Sequence, residues 1–304
     1  MSALDAMFAT VLDCAGRRLV LDRPRVAGIV NVTPDSFSDG GEHATTEAAV
    51  AHGLALAEQG ADMLDVGGES TRPGAAEVAV EEELRRVIPV IEQLAARTTL
   101  PIAVDTSKPE VMHAAVAAGA GMINDVYALR REGALDAVAA LGVPVCLMHM
   151  QGEPRSMQDD PHYDDVVGEV HRFLTDRLFA CELAGIDKRK VMVDPGFGFG
   201  KNLEHNLALL RALERFADLG SGVYVGLSRK SMIGALTGRK APAERAAGSV
   251  AAALIAVQRG ARMVRVHDVA ATVDALAVWH GVHAGDAAPR RDPKQAPPRW
   301  PDDD

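Results

Sequence analysis

Eight short apolar runs of β type, alternating with Ala-rich helical patterns, constrain this chain more than any other feature. The runs begin at Val26, Met63, Pro101, Met122, Val143, Lys190, Val223 and Met263. Amphipathic stretches, such as those from Thr45 and from Glu81, lie between them. Strands separated by helical segments read as βαβ units, because parallel neighbours need a long crossover between them. Eight such units make a (β/α)8 TIM barrel, and 304 residues accommodate that fold's typical span of about 250. An open doubly wound sheet is the rival that counting alone leaves standing. Aromatic residues make up only 4%, and the Ala, Val, Leu and Gly that dominate suit helices packed on such a sheet.

The flanks have a different character. Residues 1–25 read as a hairpin segment, with TVLDC and RLVLD on either side of Ala15 and Gly16, placed to plug the lower end of a barrel over 26–282. Residues 283–304 are Pro-rich and polar, the composition of a disordered tail. Cys14, Cys146 and Cys181 are odd in number and form no CxxC pair, so they read as reduced, buried thiols. No apolar run reaches the roughly 18 residues of a membrane span, and the N-terminus carries acids where a signal peptide carries bases. A cytoplasmic protein without a membrane partner is the expectation. A net charge of −10 weighs against nucleic acid as a partner.

Nearly every apolar run ends in a polar residue that a buried strand should avoid. These are Asn31, Asp65, Asp105, Asn124 with Asp125, Met148 with His149, Asp194, Ser228 to Lys230, and Arg265 with His267. Any single one reads equally well as a cap for the following helix. Eight together read as an active site, since in a barrel all C-terminal strand ends open on one face. Asp105, Asn124 and Asp194 suit a planar heterocycle rich in N–H donors. Arg229, Lys230, Arg265 and His267 suit phosphate. No Walker loop is present, and His149, His162 and His267 lack the spacing of a zinc site. Any metal is expected to be Mg²⁺ shared with a ligand phosphate through the Asn31 oxygen.

The stretches NVTPDSFSDGG from Asn31, DVGGESTRPG from Asp65, VDTSKPEV from Val104, IND from Ile123, DPGFGFGK from Asp194, SRKSMIG from Ser228 and RVHDV from Arg265 resemble the bacterial dihydropteroate synthases. The resemblance runs from about Val26 to Val282, with no departure at the motif residues. It implies a TIM barrel that condenses hydroxymethyl-dihydropterin diphosphate with para-aminobenzoate, giving dihydropteroate and diphosphate in folate biosynthesis. It also implies Mg²⁺, a homodimer and a sulfonamide target.

By the same resemblance, Asp105, Asn124, Met148, Asp194, Lys230 and Arg265 meet the pterin. Asn31 (through the metal), Arg265 and His267 meet the diphosphate. Phe37, Thr71, Arg72, Pro73, Phe199 and Ser231 form the aminobenzoate pocket. Asp105, Asp194, Lys230, Arg265 and His267 are the expected catalytic set, with a pterin cation on the path. Two other readings share these contacts: a pterin-binding methyltransferase of the methyltetrahydrofolate class, and a non-catalytic pterin-binding paralogue.

Overall fold

The computed structural model describes residues 10–33, 41–70 and 76–283. Eight parallel strands close into a barrel: β3 (Arg25–Asn31), β4 (Met63–Gly67), β5 (Ile102–Asp105), β6 (Met122–Asp125), β7 (Val145–Met148), β8 (Val191–Asp194), β9 (Val223–Val225) and β10 (Ala261–Val266). Closure comes from β10 pairing with β3, Met263 opposite Arg25 through to Val266 opposite Gly28, which removes the open-sheet alternative. Helices cross between the strands: α1 (Gly41–Glu58), α2 (Val80–Arg97), α3 (Pro109–Ala117), α4 (Ala134–Leu141), α5 (Val166–Leu183), α6 (Leu203–Arg211), α7 (Ser231–Thr237), α8 (Ala246–Gln258) and α9 (Val269–His283). The crossover from β9 to β10 carries two helices, α7 and α8, where one per strand was expected. Gly238, at φ +73, ends the first of them. Such left-handed C-terminal positions are readily taken only by glycine among common residues.

The two-residue period of each strand sorts its side chains. Val26, Val30, Leu64, Val66, Ile102, Val104, Ile123, Val145, Leu147, Val191 and Val193 point outward and are buried under the helices. Ala27, Met63, Ala103, Met122, Cys146, Met192, Tyr224 and Met263 point inward and form the barrel's apolar floor. The next inward position on five of these strands, two residues on, is Asp65, Asp105, Asn124, Asp194 or Arg265. One alternation therefore yields an apolar floor and a polar mouth.

Below the floor lies the hairpin, β1 (Val11–Cys14) paired antiparallel with β2 (Arg17–Val20). Leu12, Cys14, Leu19 and Leu21 join the floor's cluster, so the hairpin plugs the lower end as expected. Arg17 forks onto the carbonyls of Leu100 (2.6 Å) and Ala95 (2.7 Å), fastening the plug to the end of α2. Gly121 faces Cys14 so closely that a Cβ there would sit 2.2 Å from the Cys14 carbonyl oxygen. Cys14, Cys146 and Cys181 are all unpaired and buried, as predicted. The expected tail from 284 onward lies outside the described residues.

Candidate active site

The mouth is organised around one ion-paired group. Arg265 donates from Nε to Asp65 and from a terminal nitrogen to Asp105 at 2.8 Å. Asp65, fully buried, also accepts from Asn124 Nδ2 (3.2 Å) and from the Tyr224 hydroxyl (3.3 Å), while its Oδ1 has no partner. Burial pushes the Asp105 carboxyl up to about 7, against the opposing pull of the Arg265 guanidinium. The Arg265 guanidinium, held between two carboxylates, stays charged.

On the opposite wall, Asp194 is buried at the end of β8, and its Oδ1 accepts from the Gly196 backbone N–H at 2.7 Å. Burial raises its carboxyl, with Lys230 opposing. Lys230 follows β9 at the N-cap of α7. It donates to the Phe197 carbonyl, and its ammonium lies 4.4 Å from the centre of the Phe199 ring. Burial brings Lys230 down to about 8, with Asp194 pulling the other way. Met148 packs with Val126, Met150 and Met157, and Phe199 leans on the same cluster, so these two expected contact surfaces adjoin.

His267, just past β10, pairs its Nδ1 with the Ser228 hydroxyl at 3.0 Å. Ser231 is exposed and begins α7. Asn31 ends β3, half-buried, opposite Gly67. Phe37, Thr71, Arg72 and Pro73 lie outside the described residues. Arg229, expected in the phosphate corner, is paired with Asp268 at 2.6 Å. Its backbone takes the left-handed conformation, at φ +59.

Sequence reasoning counted Asp65 among the polar strand ends without a specific role, and gave none to Tyr224 or Lys201. Asp65 had a visible signal, a carboxylate inside an otherwise apolar strand. Tyr224 had none, because its hydroxyl meets Asp65 only after the barrel closes. A cleft of about 290 Å³ beside Asp105 is lined by Glu69, Ser70, Thr106, Ser107 and Tyr127, among others. It continues the site towards the loop that follows β4.

Comparison with known proteins agrees with this geometry. The family described as pterin binding enzyme matches residues 27–267. The dihydropteroate synthase of Escherichia coli (strain K12) is 55% identical over 263 residues, 86% of this chain and 93% of that one. The Xanthomonas albilineans dihydropteroate synthase solved with 4-aminobenzoic acid superposes with a TM-score of 0.87 at 70% identity, over 91% of this chain and 99% of that one. The same organism's enzyme in complex with 7,8-dihydropteroate gives a TM-score of 0.84 at 68% identity, covering 90% and 99%. The chain belongs to the pterin-binding enzyme family, among its bacterial dihydropteroate synthases.

Proposed function

We infer that this mouth performs the dihydropteroate synthase reaction: hydroxymethyl-dihydropterin diphosphate and para-aminobenzoate give dihydropteroate and diphosphate. The activity is a group transfer in folate biosynthesis. One observation carries it. Asp105, Asn124, Asp194, Lys230, Arg265 and His267 line one barrel mouth, in a chain 70% identical to an enzyme solved with 4-aminobenzoic acid. A methyl-transferring relative brings no diphosphate to occupy Arg265 and His267. A related enzyme from Yersinia pestis, 49% identical, has been solved with a sulfonamide drug, so the aminobenzoate pocket is the expected drug site here too.

The residue roles follow from charge. Asp194, Asn124 and Asp105 face the pterin's N–H groups, and Lys230 its carbonyl edge, with Met148 against the ring. Arg265 and His267 take the diphosphate. Phe199 and Ser231, with Phe37, Thr71, Arg72 and Pro73, take the aminobenzoate. When the C–O bond breaks, its electron pair leaves with diphosphate and a cation remains on the pterin methylene. Asp105 and Asp194 stabilise that cation, while Arg265 and His267 stabilise the leaving group, by polar groups already in place. The aniline nitrogen then forms the C–N bond and loses its proton. No side-chain nucleophile is needed, in keeping with three cysteines that are all buried.

The donor chemistry fits magnesium. Among the described residues, no group of three or more His, Cys, Asp or Glu side chains could hold a metal alone. Magnesium keeps its waters and shares substrate oxygens, and Asn31 supplies one hard oxygen. Bound there, it would neutralise charge on the departing diphosphate. A homodimer through α7, α8 and α9 completes the proposal, since Leu236, Ile255, Val278 and Val282 expose apolar side chains on these helices. No described helix is long and apolar enough to cross a membrane. We assign the protein to the cytoplasm on its kinship with folate enzymes.

Purified protein given both substrates should release diphosphate and form dihydropteroate. Absence of release, or equal release without the aminobenzoate, would overturn the reading.

A further inference from the structure

Lys201 is 3% exposed, yet the reaction gives it no task. Its ammonium is encircled by acceptors: Phe199 carbonyl at 2.9 Å, Gly196 carbonyl at 3.0 Å, His149 carbonyl at 3.4 Å and His149 Nδ1 at 2.9 Å. Burial pulls the Lys201 ammonium well below its ordinary range while Asp194 opposes. The ring of carbonyls around it favours the protonated form, whose three hydrogens this shell uses in full. Burial beside Lys201 pushes the His149 imidazole down to about 2, which keeps it neutral and its Nδ1 free to accept.

The held segment is the turn between β8 and α6. Asp194 takes the N–H of Gly196 at 2.7 Å and Asn206 takes that of Gly198 at 2.7 Å, so the turn is gripped by its N–H groups from both flanks. Lys201 grips its carbonyls from beneath. Gly196 has φ +71, and a Cβ there would sit 1.8 Å from the His149 carbonyl, so the turn lies hard against the end of β7. Between the residues that Lys201 holds lie the Phe197 carbonyl, which receives Lys230, and the Phe199 ring beneath the Lys230 ammonium.

We propose that Lys201 is a positioning residue for the transfer: its ammonium fixes the Gly196–Gly200 turn so that the Phe199 ring meets the aminobenzoate in register with the pterin. This rests on the functional reading above, which places Phe199 in the aminobenzoate pocket. Asp105 and Asn124 sit on strands away from the turn. Asp194, though it accepts from Gly196, is fixed by its own strand ladder, whereas the Phe199 ring is carried by the turn itself. Loss of Lys201 should therefore act unequally on the two substrates.

The test is steady-state kinetics of Lys201→Met with a double-mutant cycle against Phe199→Ala. In Lys201→Met, the KM for para-aminobenzoate should rise about tenfold or more and kcat should fall, while the KM for pterin diphosphate stays within about threefold. Phe199→Ala should raise the aminobenzoate KM in the parent enzyme, and by much less once Lys201 is gone, because both changes act through one ring. Equal effects on both KM values, no effect on either, or full additivity with Phe199→Ala would overturn the proposal. If Lys201→Met does not fold, Lys201→Arg takes its place with the same expected split. It keeps the buried charge, but its planar fork cannot converge on these carbonyls from one nitrogen. Failure of the unmodified protein to turn over would instead sink the functional reading, and this inference with it.

Discussion

A carboxylate at position 65 interrupts an apolar strand, and everything polar on that side of the mouth leans on it. Its Oδ2 gathers Arg265, Asn124 and Tyr224. Asp65→Ala should cost about 3–5 kcal/mol in urea denaturation, because Arg265 loses one of its two buried counter-charges. Wild-type stability in that variant would mean the pair contributes nothing. Across the site, Asp194→Asn should weaken pterin binding by about 1.5–3 kcal/mol in calorimetry, the size of a charge-assisted hydrogen bond. Affinity within twofold of the parent would remove Asp194 from the ring contacts. Asp105 adds a pH signature. Its carboxyl rises from 3.8 to about 7 on burial, so the folded state keeps a proton that the unfolded chain releases. Stability from this group is present below pH 3.8 and is lost as pH climbs through about 7. Asp105→Asn should flatten the fall in urea midpoint across that window. An unchanged slope would show that Asp105 is ionised throughout.

Between elements, a second buried network ties the end of β4 to α2 and α3. Lys108 bonds Glu83 at 2.5 Å and also Glu69, whose other oxygen accepts from the Val78 N–H at 3.2 Å. Glu83 lies fully buried in the first turn of α2, so Lys108 is the charge that keeps it tolerable there. Lys108→Met should destabilise the fold by about 3–5 kcal/mol, the cost of stranding one member of a buried pair. The hairpin makes a different kind of contribution. Leu12 is wholly buried in the barrel floor, and Leu12→Ala should lower stability by about 2–5 kcal/mol through the cavity it leaves. A loss well below 1 kcal/mol would mean that β1 and β2 cover the floor without supporting it.

At the scale of the molecule, polarity is segregated along the barrel axis. Met63, Ala103, Met122, Cys146, Met192 and Met263 fill the lower interior, and charged groups occupy the mouth. The substrate end can thus hold strained electrostatics while the packed floor supplies stability. Residues 284–304 contribute no core-forming stretch by composition, so deleting them should leave turnover near that of the full chain. An inactive truncation would show that the segment supports the barrel or its assembly.

The barrel was legible in the sequence because its information is local and periodic. Eight apolar runs, their spacing and their polar last residues all follow from which side chains a buried strand tolerates. The membership of Asp105, Asn124, Asp194, Lys230, Arg265 and His267 in one site followed from the same rule, since barrel topology brings every strand end to one face. Pairing was not legible. Nothing local tells that Arg229 turns to Asp268 while Arg265 turns to Asp65 and Asp105, residues 200 and 160 positions away. Lys201 read as one more residue of a glycine-rich motif until the turn folded back over it and the end of β7 closed beneath. Side-chain chemistry and periodicity belong to the chain. Which charge answers which is decided by a closed barrel, where distance in space no longer follows distance in sequence.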